Sequence, residues 1–155
     1  FWKIYTSSEI IPPQYISSEA KIGKSIIGDG AEIYGEVENS VIGPGVFIGK
    51  GAVVRDSIIM KEASIGAGCV IDRSIIAENV KVGENVVTNV GEDVPNKLKP
   101  KVYSFGLTTI GEDSVIPANV KIGKNTAISG ETTPEDYPDG VLESGETLIK
   151  EGDLA

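Results

Sequence analysis

Branched aliphatic residues recur along the first half of the chain, mostly at spacings of five or six positions. A small or β-branched residue lies two positions before most of them, and residues two apart in a strand share a face. Each such pair therefore points inward, and the residue between points outward. The pattern predicts short strands separated by turns, because no helical stripe is present. The inward aliphatics are Ile16, Ile22, Ile27, Ile33, Val37, Ile42, Ile48, Val54, Ile59, Ile65, Ile71, Ile76 and Val82.

Serine residues mark a longer period. Each of Ser25, Ser40, Ser57 and Ser74 opens a line of Ser followed by two aliphatics, and 15, 17 and 17 residues separate them. A fixed period of this size predicts a repeat architecture. Three short strands bring the chain back above its start after about 17 residues, with coils stacked roughly 4.8 Å apart. The sequence thus predicts an all-β fold, a single-stranded, three-sided parallel β-helix.

The repeat of about six residues resembles that of the hexapeptide-repeat family, and the resemblance implies left-handed coils. Physical reasoning alone would favour the other hand, because parallel crossovers are nearly always right-handed. The repeat predicts a β-helix over residues 16–130, interrupted by a long polar loop at 88–108.

The ends of the chain depart from the repeat. Residues 1–15 hold Trp2 and the Pro12-Pro13 pair, and we interpret them as an extended connector from a missing N-terminal catalytic domain. The chain begins with Phe1 and not with Met, so we expect a piece of a longer protein. Residues 131–155 are predicted to be a capping tail, with 141–143 and 147–149 pairing as short strands over the last open edge.

The outward residues of the serine lines form an apolar stripe, which we name the aliphatic wall. Soluble monomers rarely leave such a stripe bare. We hypothesise that the wall is an interface with another domain of the same protein or with another subunit. The alternative is that a loop of this chain covers it. The wall comprises Ile26, Val41, Ile58 and Ile75.

Net charge, cysteine content and hydropathy exclude several classes of function. The net charge of −9 argues against a partner with a nucleic-acid or anionic-membrane surface. The single cysteine, Cys69, occupies an inward position, so we expect a buried structural thiol and no disulfide. No apolar run approaches the length that crosses a bilayer, and no signal-peptide pattern is present. We therefore expect a cytoplasmic protein.

The chain contains no histidine. Hexapeptide-repeat acyltransferases use a histidine as base, and the carbonic anhydrases of this fold bind their metal through histidines. We predict no catalytic residue, no metal site and no cofactor in this chain. Lys97, Lys99 and Lys101 are its densest positive charge, and they are our candidate site for a phosphate-bearing effector. The alternative is that they are ordinary solvated lysines.

A more specific resemblance is to the C-terminal domain of bacterial glucose-1-phosphate adenylyltransferases, also called ADP-glucose pyrophosphorylases. The entry segment from Trp-Lys-Ile-Tyr-Thr to Pro-Pro-Gln-Tyr and the line Gly-Glu-Val-Glu-Asn-Ser-Val carry it better than the hexads do. The match extends to about Gly130 and is looser in the tail. The residues that carry it are 2–6, 12–16, 34–42, 49–54 and 56–60.

The resemblance implies a cytosolic enzyme of glycogen synthesis that makes ADP-glucose and pyrophosphate from ATP and glucose 1-phosphate with Mg²⁺. It places the chemistry in an N-terminal nucleotidyltransferase domain, so this chain alone should be inactive. It also implies that the β-helix packs on that domain, builds contacts of a homotetramer and helps form an allosteric effector site. The alternative is a non-catalytic adenylyltransferase-like subunit, or another sugar-phosphate nucleotidyltransferase.

Overall fold

The computed structural model describes residues 10–150 and confirms the predicted fold. Over these residues the chain winds into an all-β, left-handed parallel β-helix of about eight turns, with three sheets as its walls. Trp2 and the other residues of the predicted connector before Ile10 lie outside the described part, as do residues 151–155.

Each wall is a parallel sheet built from one strand per coil. Sheet A contains β1 (Tyr15–Ile16), β4 (Glu32–Ile33), β7 (Phe47–Ile48), β10 (Ser64–Ile65), β13 (Lys81–Val82) and β16 (Val115–Ile116). Sheet B contains β2 (Lys21–Gly23), β5 (Glu36–Glu38), β8 (Val53–Arg55), β11 (Val70–Asp72), β14 (Val87–Val90), β17 (Lys121–Gly123) and β19 (Val141–Leu142). Sheet C contains β3 (Ile26–Ile27), β6 (Val41–Ile42), β9 (Ile58–Ile59), β12 (Ser74–Ile76), β15 (Thr108–Ile110), β18 (Thr126–Ser129) and β20 (Thr147–Ile149).

The corner between sheets B and C explains the serine lines. The residue before each serine has a left-handed backbone, with φ between 44° and 48° for Lys24, Asn39, Asp56 and Arg73. A non-glycine residue adopts this conformation at an energetic cost. Hydrogen bonds made by the serine hydroxyls offset that cost, so the corner is stabilised by the residue that follows it.

The serine hydroxyls form a ladder along this corner. The Ser57 hydroxyl donates to the carbonyl oxygen of Arg55 at 2.5 Å and accepts the backbone N–H of Ser74 at 3.0 Å. Ser40 makes the equivalent bonds with Glu38 and with Ser57, at 2.8 and 3.1 Å. These serines are buried, where an unpaired peptide group would be costly. Each rung therefore joins one coil to the next.

The core follows the predicted alternation of small and large inward residues, with Ala31, Ala52, Ala63 and Cys69 in small positions. The first coil differs. Ile16 and Ile22 point inward in the repeat but are 46% and 37% exposed. Their strands pair with the next coil on one side only within the described residues, so the start of the core is open.

The tail differs from the expected paired strands. β19 and β20 do not pair with each other; they add parallel strands to β17 and β18. A 3₁₀ helix at Pro134–Asp136 lies between β18 and β19, and Tyr137 after it is buried against the core. Its hydroxyl bonds Thr132 at 2.9 Å, and burial raises the pKa of Tyr137 to about 12. The coils thus continue past residue 130, and Tyr137 adds its ring to the core of the last of them.

We predict that Ser57→Ala lowers the free energy of unfolding by about 1–3 kcal/mol, because the buried N–H of Ser74 loses its acceptor. Urea unfolding followed by circular dichroism measures the difference. The matched control is Ser64→Ala, at an outward, half-buried position of sheet A, with an expected effect within about 0.5 kcal/mol. Equal effects of the two substitutions would show that the ladder contributes nothing specific.

Candidate functional site

The aliphatic wall has the predicted register. Ile26 lies beside Val41, Val41 beside Ile58, and Ile58 beside Ile75 on the outer face of sheet C. The exposed fractions of the first three are 69%, 42% and 42%, whereas Ile75 is half-buried. These residues are consecutive along the sheet, so the structure brings them together as one apolar strip.

The strip has a polar end. Thr109 continues the column after Ile75, and its hydroxyl donates to the carbonyl oxygen of Thr126 at 3.2 Å. Within residues 10–150, Ile26, Val41 and Ile58 remain exposed, so no loop in that range buries them. The interface role of the wall remains a prediction.

The start of the β-helix presents a second apolar surface, which we name the open end. It consists of β1, β2 and β3, each of which pairs on one side only in the described structure. Unpaired strand edges favour association with further chain. The exposed inward side chains of Ile16 and Ile22 lie on these strands, so the open end combines a free edge with bare core residues.

The long loop spans residues 91–107, between β14 and β15, and is therefore shorter than the predicted 88–108. The buried side chain of Asn96 is one of its anchors. The carboxamide oxygen of Asn96 accepts the N–H groups of Leu98 and Lys99 at 3.0 and 2.8 Å. Its amide nitrogen donates to the carbonyl oxygen of Asn125 and to the hydroxyl of Thr147, both at 2.9 Å. Asn96 therefore fastens the loop to the last two coils.

Corner residues hold the loop from the other side. The Asn125 side chain donates to the Asp93 carboxylate at 2.6 Å and accepts the N–H of Gly106 at 2.8 Å. The Arg73 guanidinium donates to the carbonyl oxygen of Phe105 at 2.6 Å, and Asn89 donates to that of Gly106. Their left-handed backbones at the corner between sheets B and C leave these side chains in contact with the loop.

The structure distinguishes the three candidate effector lysines. The ammonium group of Lys97 forms an ion pair with Glu146, and the backbone N–H of Lys97 donates to the carbonyl oxygen of Gly145 at 2.8 Å. Lys99 and Lys101 are exposed. Three apolar side chains of the same loop, Leu98, Val102 and Phe105, are also exposed. The sequence did not predict their exposure. The effector role of the lysines remains a prediction.

The groups that could do chemistry are sparse. The Cys69 thiol is buried and donates to the carbonyl oxygen of Gly83 at 3.0 Å. Burial raises the pKa of this thiol, so it is held in its unreactive form. Among residues 10–150, no three His, Cys, Asp or Glu side chains are grouped so as to hold a metal ion. No helix in that range is long and apolar enough to span a membrane.

The amino-acid sequence is similar to those of known proteins. The family described as GlmU-like, C-terminal hexapeptide matches residues 14–106. The chain is 61% identical over 153 residues, 99% of its length, to a glucose-1-phosphate adenylyltransferase from Lachnospira eligens. It is 43% identical over 152 residues (98% of its length) to the enzyme of that name from Acetivibrio thermocellus, and 49% identical over 148 residues (96%) to that from Thermotoga maritima.

The matched part is a fraction of each relative. The chain spans 36% of the Lachnospira and Acetivibrio proteins and 35% of the Thermotoga protein. Most of each of these adenylyltransferases therefore has no counterpart in this chain.

We predict that Asn96→Ala frees the loop without unfolding the coils. The free energy of local opening at the Lys99 amide should fall by about 1–3 kcal/mol, because the anchor of several hydrogen bonds is lost. Hydrogen–deuterium exchange measures this opening. Lys101→Ala, an exposed change in the same loop, should leave exchange at Lys99 unchanged. Unaltered exchange in the Asn96 variant would contradict the anchoring role.

Proposed function

Because the chain belongs to the GlmU-like C-terminal hexapeptide family, we propose that it is the regulatory and assembly domain of a glucose-1-phosphate adenylyltransferase. The whole protein makes ADP-glucose and pyrophosphate from ATP and glucose 1-phosphate in the cytoplasm, as a step of glycogen synthesis. The nucleotidyltransferase domain and its Mg²⁺ belong to the part of the protein outside this chain, and this chain alone is inactive.

The aliphatic wall is the observation that carries the assembly role. It presents three neighbouring branched side chains, Ile26, Val41 and Ile58, on a flat and firmly hydrogen-bonded sheet. Burying exposed apolar surface stabilises association by roughly 25 cal/mol per Å² before the costs of association. A rigid strip loses little conformational entropy when it is covered. We assign the wall to contacts between subunits of a homo-oligomer, a tetramer in the whole enzyme.

The open end supports contact with the nucleotidyltransferase domain. Its bare core residues, Ile16 and Ile22, would gain cover from a domain that precedes the coils. At the other end Tyr137 is buried against the core, whereas Ile16 and Ile22 are exposed. We therefore assign the two apolar surfaces to different partners, the wall to a neighbouring subunit and the open end to the catalytic domain.

The loop supports the regulatory role. Lys99 and Lys101 are exposed on a segment whose backbone is fixed by Asn96, and a fixed backbone presents charge to a phosphate at low entropic cost. Lys97 can contribute only if it leaves Glu146. We propose that Lys99 and Lys101 are the residues that bind an anionic effector first.

The activity is tested on the full-length protein that contains this chain. With ATP, glucose 1-phosphate and Mg²⁺, we expect release of pyrophosphate, measured by a coupled phosphate assay. The control is the isolated 155-residue chain, with no expected turnover. No turnover by the full-length protein at saturating effector would favour a non-catalytic subunit, and turnover with a different sugar phosphate only would favour another nucleotidyltransferase.

The assembly role is tested by Val41→Glu in the full-length protein. A carboxylate in the centre of the wall must be desolvated when the wall is covered. We expect subunit affinity to fall by about tenfold or more, measured by sedimentation velocity. The matched control is Ser64→Glu, which adds the same charge on the outer face of sheet A. Unchanged sedimentation of the Val41 variant would refute the interface.

A further inference from the structure

One corner of the β-helix is shorter than the others. Six positions separate Ile48 from Val54, whereas only four separate Ile33 from Val37. In this second coil Tyr34 and Gly35 alone turn the chain from sheet A to sheet B. A Cβ atom at Gly35 would lie 2.3 Å from the carbonyl oxygen of Ala52. Glycine is therefore required for the short corner to lie against the next coil.

The short corner leaves a cleft between the corners of the first and third coils. Its volume is about 340 Å³, at the lower end of the roughly 300–1,000 Å³ typical of small-molecule sites. Glu19 in the first coil pairs with Lys50 in the third, at 2.8 Å. Both side chains line the cleft, so this ion pair passes over the shortened coil. The cleft is lined by Glu19, Lys21, residues 34–36 and residues 50–53.

The charged groups of the cleft are balanced. Lys21 and Lys50 supply ammonium donors, and Glu19 and Glu36 supply carboxylate acceptors. Lys21 and Glu36 are neighbours in the register of sheet B. Lys50 holds the pKa of Glu19 below its usual value through a hydrogen bond, so this acceptor is ionised at neutral pH. An exposed ion pair contributes little stability, and it can rearrange around a ligand.

An aromatic row borders the cleft. The ring of Tyr34 lines it, with centroids of Tyr15 and Phe47 at 5.6 and 5.7 Å on either side. Tyr15 and Phe47 are 54% and 39% exposed. The Tyr34 hydroxyl donates to Glu32 at 3.3 Å. Partial desolvation, and then the Glu32 carboxylate, raise the pKa of Tyr34, so its hydroxyl remains a donor.

We propose that this cleft binds a neutral saccharide. A sugar hydroxyl is both donor and acceptor, as are the serine and threonine hydroxyls, and it matches alternating ammonium and carboxylate groups. The apolar C–H face of a sugar ring matches the exposed aromatic surface. The two lysines and two glutamates of the lining cancel in charge, so the cleft has no excess positive charge to favour a phosphate over a neutral ligand. One sugar unit lies in the cleft beside Tyr34, and the next extends over the aromatic row. This proposal is independent of the catalytic activity proposed above.

The test is a titration of the ¹⁵N-labelled 155-residue chain with maltoheptaose, followed by amide chemical shifts. We expect saturable shifts at Gly35, Gly51 and Ala52. Lys21→Met and Glu36→Gln should each weaken binding about fivefold or more, and Tyr34→Ala should weaken it further. The matched control is Lys121→Met, because Lys121 occupies the same column of sheet B at the far end and should not affect binding.

Each arm of the titration decides the proposal. Absence of saturable shifts at the cleft, or shifts spread over the whole surface, would overturn it. Inorganic phosphate that shifts the same amides at lower concentration than maltoheptaose would identify an anion site and would also overturn it. If Tyr34→Ala fails to fold, Lys21→Met and Glu36→Gln still decide, because both change exposed or half-buried outward side chains.

Discussion

Hydrogen bonding between successive coils is the constraint on which this molecule depends. Because each strand pairs with the strand one coil later, the strands of each wall must lie in register along the axis, whatever the length of the corner that joins two walls. The serine hydroxyls enforce this at the corner between sheets B and C. The hydroxyls of Ser40 and Ser57 accept the buried N–H groups of Ser57 and Ser74 in the next coil, and the Ser74 hydroxyl bonds the hydroxyl of Thr88. Left-handed corners at Asn39, Asp56 and Arg73 are tolerated because that ladder surrounds them.

The same constraint determines where function can be placed. Large aliphatic side chains alternate with small ones such as Ala52 and Cys69, and together they fill the interior. The interior therefore has no room for a ligand. Binding must therefore use the outer walls, the two ends, or places where the repeat changes length. In the proposals above, the aliphatic wall uses the first of these, the open end the second, and the loop at 91–107 and the corner at Tyr34 and Gly35 the third.

The sequence predicted those features that repeat. The inward alternation, the three walls and the register of Ile26, Val41 and Ile58 followed from a period of 15 to 17 residues, because each coil repeats the environment of the last. The sequence could not predict the exposure of the Ile16 side chain, because that exposure depends on what lies beside the first coil. Nor could it predict Asn96 as an anchor, because its partners Asn125 and Thr147 lie 29 and 51 residues away. The tail was mistaken for paired strands, since two short apolar segments indicate strands but not their partners.

Rigidity also limits how distant parts of this molecule can influence one another. The cleft beside Tyr34 lies in the first three coils, whereas Asn96 fastens the loop to the last two. The coils between them have a buried, close-packed core, and coupling between sites requires an element with two states. The elements able to change are therefore peripheral: the Glu19–Lys50 pair, the Lys97–Glu146 pair and the loop. Under the regulatory role proposed above, a signal would pass through a partner that touches one of these elements, and the β-helix would hold them at fixed positions relative to that partner.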